Sequence, residues 1–112
     1  MTQIAISTSE MQLLNSAERM FAPLVREGVF ESFERAFRTL LLDYVERQIV
    51  AYSGKASQFE ARHQMNFEDF TTTLRSRATP EAEEEWQDWE AALIFLRKWQ
   101  KIRTQVSDGV SA

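Results

Sequence analysis

MNFEDF, residues 65–70, separates two long amphipathic stretches and decides how the second half of the chain divides. Asn66 is a good N-cap, because its side-chain oxygen can accept a backbone N–H of the first helical turn. Asp69 stands at the third helical position, where a carboxylate can reach back to the cap's own N–H, a shortened capping box. Met65 before the cap and Phe70 at the fourth helical position have the spacing of a hydrophobic staple. The stretch predicts a short helix over about 67–77, with Phe67, Phe70 and Leu74 on one side. Its β-branched run Thr71–Thr72–Thr73 lowers intrinsic helix stability, so packing must hold it. None of these residues is chemically reactive; each is a fastener.

Upstream of the turn the pattern is long and regular. Phe30, Phe33, Phe37, Leu40 and Tyr44 step by three and four, and a second seam follows through Val45, Ile49, Tyr52, Ala56, Phe59 and His63. Such spacing makes a narrow seam that packs against another long helix. A continuous helix over about 31–63 would be roughly 50 Å long at 1.5 Å per residue, more than one small domain needs. A second copy of the chain is therefore expected along part of it. Gly54 is the weak point, since an interior glycine costs about 1 kcal/mol relative to alanine.

The first helix is expected over about 9–27. Ser7 with Glu10 and Ser9 with Gln12 both fit a capping box, and Leu14, Ala17, Phe21 and Leu24 make its apolar stripe. Pro23 removes a backbone hydrogen bond and predicts a kink or break near it. Gly28 has the placing of a left-handed terminator. Before this helix, Thr2–Ser7 alternates polar and apolar residues, so residues 1–8 read as an arm with strand-like character.

Downstream, Thr79-Pro80-Glu81 opens a last helix over about 80–106 with a capping hydroxyl and proline at the first helical position. Trp86, Trp89, Leu93 and Leu96 form one seam, and Ala92, Phe95, Trp99, Ile102 and Val106 a neighbouring one. Together they cover about half the circumference, enough for two neighbours. Asp108-Gly109 is expected to end the helix and leave a mobile tail over 107–112. The acids Glu81, Glu83, Glu84, Glu85, Asp88 and Glu90 precede the bases Arg97, Lys98, Lys101 and Arg103, as the helix dipole favours.

Composition narrows the classes. With three Gly and two Pro in 112 residues, the chain lacks the punctuation of an all-β protein. No cysteine means no disulfide, thiolate chemistry or Cys-ligated zinc. The start MTQIAISTSE has no basic segment followed by an apolar core, and the longest apolar run, Ala91–Leu96, is too short for a membrane span. A cytoplasmic protein without membrane contact is the expectation.

From Tyr44 to Ile102 the chain resembles small prokaryotic proteins of toxin–antitoxin type, whose pattern is a long helix, a G-M-[ST]-F-E-E-F turn, a short acidic spacer and a W-E helix. Met65, Asn66, Phe67, Glu68, Asp69 and Phe70 match the turn, and Trp86, Trp89, Glu90 and Leu93 the last helix. The segment EGVFESFERAFRTLL, residues 27–41, looks like the region after the first helix of short antitoxins and ribbon-helix-helix proteins. This chain departs from the pattern at Gln64, where the family has Gly. The resemblance implies an interaction role, such as neutralising a partner protein encoded by the adjacent gene.

Chemistry-bearing constellations are few. Glu60 and His63 form a Glu-x-x-His pair, half of the ligand set in di-iron carboxylate bundles. Glu85, in the apolar arc beside Trp86 and Trp89, would be the third candidate ligand. The simpler reading places His63 at a helix C-terminus, where an imidazolium is favourable, and implies no metal or other cofactor. There is no Gly-rich phosphate loop, no G-x-S-x-G and no second histidine for a metalloprotease pair, so no enzyme is expected. A Thr2–Ser7 ribbon paired across a dimer could enter a DNA groove, but it carries no Lys or Arg and the net charge is −4.

The expectation is an all-α, four-helix domain over 9–106, a helical-bundle homodimer. Its packing seam is Phe33, Phe37, Leu40, Tyr44, Val45, Ile49, Tyr52 and Phe59, and its core aromatics are Trp86, Trp89 and Trp99. Its function is an antitoxin-like or regulatory protein–protein interaction, the alternative being a DNA-binding regulator of its own operon.

Overall fold

A computed structural model describes residues 7–111, with side chains described through residue 108. The fold is all-α: α1 (Thr8–Arg26), α2 (Phe33–His63), α3 (Phe67–Ser76) and α4 (Pro80–Ser111), with no strand among the described residues. The strand-like arm lies outside the described residues except for Ser7 and Thr8, which belong to the start of α1.

Each helix start is fastened by a side chain. Ser7 and Glu10 form a reciprocal capping box on α1, the Glu10 N–H donating to Ser7 Oγ and the Ser7 N–H to Glu10 Oε2, both at 3.2 Å. Of the two expected boxes, this is the one in use. Ser32 caps α2 by accepting the Arg35 N–H at 3.1 Å, which starts that helix after Phe30 and Glu31 rather than at them. Asn66 Oδ1 accepts the Asp69 N–H at 2.8 Å, and Thr79 Oγ1 accepts the Ala82 N–H at 3.1 Å. Asp69 contributes its backbone N–H to this cap, and no return bond from its carboxylate to Asn66 forms. Its side chain is one methylene shorter than the glutamate of the full capping box, a shorter reach back to the cap. Met65 accepts the Thr73 hydroxyl at 3.9 Å.

Helix ends follow backbone conformation more than residue type. Gly28 has φ +76° and closes α1 as a Schellman motif, its N–H on Val25 O at 3.1 Å and the Val29 N–H on Leu24 O at 2.9 Å. Pro23 does not break α1. Helix continues to Arg26, and Pro23 O accepts the Glu27 N–H at 3.0 Å. Past His63, Gln64 adopts φ +53°, the left-handed conformation that glycine takes at lowest cost. Gly109 does not end α4, which runs to Ser111, because a single glycine lowers helix stability without forcing a stop. The expected mobile tail is thus helical through Ser111, and Ala112 lies outside the described residues.

Helix α2 is continuous through Gly54, so the interruption considered at Ser53–Gly54 is absent. The chain gathers into two compact units that divide at Leu41–Leu42. In the first unit, Phe21 meets Phe33 at 5.5 Å and Phe37 at 6.3 Å, both edge-on, and Ala36 is buried. In the second, α2 and α4 run antiparallel. Tyr44 lies on Trp99, Tyr52 on Phe95 and Phe59 on Trp89, at 5.8, 5.3 and 5.8 Å, so rising numbers on α2 meet falling numbers on α4. An Arg103–Glu46 bond at 3.1 Å ties the same two helices.

An added Cβ at Gly54 would meet nothing within 4 Å, so Gly54→Ala is expected to raise stability by about 1 kcal/mol. Gln64→Gly is expected to add about 0.5 kcal/mol, relief of a left-handed non-glycine residue less the extra chain entropy. Urea unfolding curves with unchanged slope check both.

Candidate functional site

The second unit is organised around Trp89, which is only 2% exposed. Four rings from two other helices close on its indole. Phe59 and His63 of α2 stack on it at 5.8 and 5.9 Å, while Phe67 and Phe70 of α3 approach at 5.4 Å each. Aromatic pairs at these separations contribute about 0.5–1.5 kcal/mol each beyond the area they bury. Phe70 and Phe67 reach the indole because the Asn66 cap sets where α3 begins. The fastening turn read from the sequence therefore delivers two walls of this cage.

Trp86 lies one turn earlier, stacked on Phe67 at 5.7 Å. Its Nε1–H donates to Thr71 Oγ1 at 2.8 Å, and the Thr71 hydroxyl donates to Phe67 O, also at 2.8 Å. The threonine run weakens α3 by propensity, yet Thr71 supplies the hydroxyl that satisfies the half-buried indole.

His63 and Glu85 meet. His63 Nε2 lies 3.1 Å from Glu85 Oε2, an approach off the ring N–H axis that leaves this buried nitrogen without an aligned hydrogen bond. Arg62 bonds the other oxygen of Glu85, and the imidazole packs on Phe70 at 4.3 Å. Glu60 does not join them. It lines a shallow depression with Ser57, Gln64 and Asn66, and no three acidic or histidine side chains among the described residues lie close enough to hold a metal ion. The Glu-x-x-His spacing places Glu60 and His63 on one helix face, but Glu85 engages His63 and Arg62 instead.

The two seams of α2 have different fates. Val45 and Ile49 are buried, and Tyr52 and Phe59 pack on α4, so these four expected seam residues are used within the chain. Phe37, Leu40 and Leu41 remain 49, 43 and 38% exposed, and Phe33 is half-buried against Phe21. Tyr44 is exposed on one side and packs edge-on to Trp99 on the other.

A further arrangement escapes a hydrophobic-periodicity reading. Three aromatic residues are each followed three positions later by a cation that folds back over the ring: Lys55 over Tyr52 at 5.2 Å, Arg62 over Phe59 at 5.4 Å and Lys98 over Phe95 at 5.5 Å. Side chains three apart share a helix face and lean toward the N-terminus, which brings the cation onto the ring. Tyr52, Phe59 and Phe95 line an open groove of about 410 Å³ between α2 and α4. The aromatic-x-x-cation spacing was visible in the sequence; that all three would border one groove was not.

Comparison with known protein families, with curated proteins and with solved structures finds no match. No helix among the described residues is long and apolar enough to cross a membrane.

Trp89→Ala is expected to cost about 3–5 kcal/mol, because the four surrounding rings cannot collapse into the space. Thr71→Val, nearly the same shape, is expected to cost about 1–2 kcal/mol by stranding the Trp86 N–H. Thermal or urea unfolding followed by tryptophan emission measures both, and equal stability of the valine variant would show that the hydroxyl is dispensable.

Proposed function

We propose that this chain is a non-enzymatic protein–protein interaction module, antitoxin-like or regulatory, that acts as a homodimer and binds a partner protein in the cytoplasm. One observation carries the reading. Helix α1 is strongly amphipathic, yet none of its residues is buried. Leu13, Leu14 and Met20 stand exposed, as do Phe37, Leu40 and Leu41 at the start of α2. Full burial of such a side chain stabilises by about 1.5–3 kcal/mol relative to leaving it in water. Large apolar side chains left in water at this density within one compact unit support an interaction surface.

The resemblance around MNFEDF supports the antitoxin-like part of the reading, and the residues carrying it act as caps and core aromatics. They build the second unit and leave recognition to surfaces elsewhere. The first unit offers such a surface, and a second copy is its first occupant in this reading, with the partner protein bound by the assembled dimer.

Light scattering at micromolar concentration is expected to give twice the 13.1 kDa chain mass. Leu40→Glu is expected to return one chain mass with unchanged far-UV circular dichroism, since the side chain is already exposed. A wild-type monomer would overturn the dimer. Co-expression with the product of the adjacent gene, followed by pull-down, tests the partner.

A further inference from the structure

We propose that the α2–α4 groove of the second unit is a binding site for a linear zwitterion, an apolar chain with a carboxylate at one end and an ammonium group at the other. Its volume of about 410 Å³ falls within the range of small-molecule sites, roughly 300–1,000 Å³. Phe59, Ala91, Ala92 and Phe95 supply the apolar surface on which the body of such a ligand would lie. Phe95 keeps 40% of its surface open to water and so has area left to cover.

The charged side chains of the lining are Lys55, Arg62 and Asp88. Arg62 is already held by Glu85, so that pair is neutral. Lys55 and Asp88 have no ion pair or hydrogen bond among the described residues. Their charges balance, so the groove discriminates by where the two stand. The aromatic stacks fix their places. Tyr52 on Phe95 marks one end of the groove, and Lys55 stands there, 5.2 Å over the Tyr52 ring. Phe59 on Trp89 marks the other end, and Asp88 directly precedes Trp89 in α4. From Tyr52 to Phe59, α2 rises roughly 10 Å at 1.5 Å per residue. A free cation and a free anion thus stand at opposite ends of one apolar floor.

Tyr52 holds the Lys55 amine in place beforehand by cation–π attraction. An ammonium group has three N–H donors, so one resting over a ring face still donates to a carboxylate. Asp88 carries the acceptors for an ammonium group at the far end. Each contact to an exposed charge changes affinity only a few-fold, so one head group alone discriminates little. Selection comes from meeting both charges at once. An α-amino acid carries its two charges on one carbon and cannot span the floor; a chain with its charges at opposite ends can. The site lies wholly within the second unit, apart from the first-unit surface on which the dimer reading rests, so either can fail without the other.

Two isomers test the proposal on the full chain: 6-aminohexanoate, charged at both ends, and 2-aminohexanoate, with the same atoms but both charges at one end. Amide NMR titration of the labelled protein is expected to show saturable binding of 6-aminohexanoate, with shifts centred on residues 52–62 and 88–95. The 2-isomer, hexanoate and hexylamine are each expected to bind about fivefold more weakly, the size of one exposed charge contact. Lys55→Glu is expected to weaken 6-aminohexanoate about fivefold, because both ends of the groove are then acidic. Adding Asp88→Lys to that variant exchanges the two charges and is expected to restore affinity to within about twofold of wild type, the ligand lying reversed. Both positions are exposed, so the exchanged pair keeps the fold and separates charge placement from structural damage. Equal affinity for the two isomers, no recovery in the exchanged pair, or no saturable binding in wild type would each overturn the site.

Discussion

Burial of the Trp89 indole is the constraint on which the second unit depends. One side chain from α4 meets rings from α2 and from α3, so three helices share a single contact centre. Helix α3 has ten residues, too few to hold itself together in water. It persists because Phe67 and Phe70 are anchored on that indole and because Thr71 satisfies Trp86 next to it. The turn at MNFEDF sets the register that makes both possible.

Polar groups around this cage are used to connect helices. Glu85 receives Arg62 and faces His63, which fastens the end of α2 to the first half of α4. Exposed surface pairs such as Arg38–Glu34 and Arg47–Asp43 lie within one helix and contribute at most a few tenths of a kcal/mol each. The second unit therefore rests on aromatic burial. Among the described residues the first unit has no comparable centre. Its aromatic contacts are edge-on approaches of Phe21 to Phe33 and Phe37 and a tilted contact between Phe33 and Phe37, and most of its apolar side chains stay in contact with water.

Much of the architecture was legible in the residues. Ser7, Asn66 and Thr79 announced their helix starts, because a cap is a local exchange between a side chain and the next turn of backbone. Gly28 announced an end for the same reason. Gly109 misled, since it lowers helix stability locally while the surrounding residues still favour helix, and of the kink or break expected at Pro23 the break does not occur. Gln64 could not be recognised as left-handed from its type; the position demands that conformation, and the turn imposes it on a residue that rarely takes it.

The candidate sites were less legible. Glu60, His63 and Glu85 could be named as ionisable groups on apolar seams, but their pairing depends on how α2 and α4 are rotated about their own axes. The same rotation decides that Val45, Ile49, Tyr52 and Phe59 are spent inside the chain while Phe37 and Leu40 are not. It also gathers three separate aromatic-x-x-cation pairs around one groove. By itself the sequence determined the all-α class, the helix count and most of the boundaries, because these follow from spacing and caps within a few residues. Only the tertiary structure decided which apolar face is buried, which carboxylate meets the histidine and where cations border a groove. Those outcomes depend on contacts between residues tens of positions apart, which no local pattern encodes.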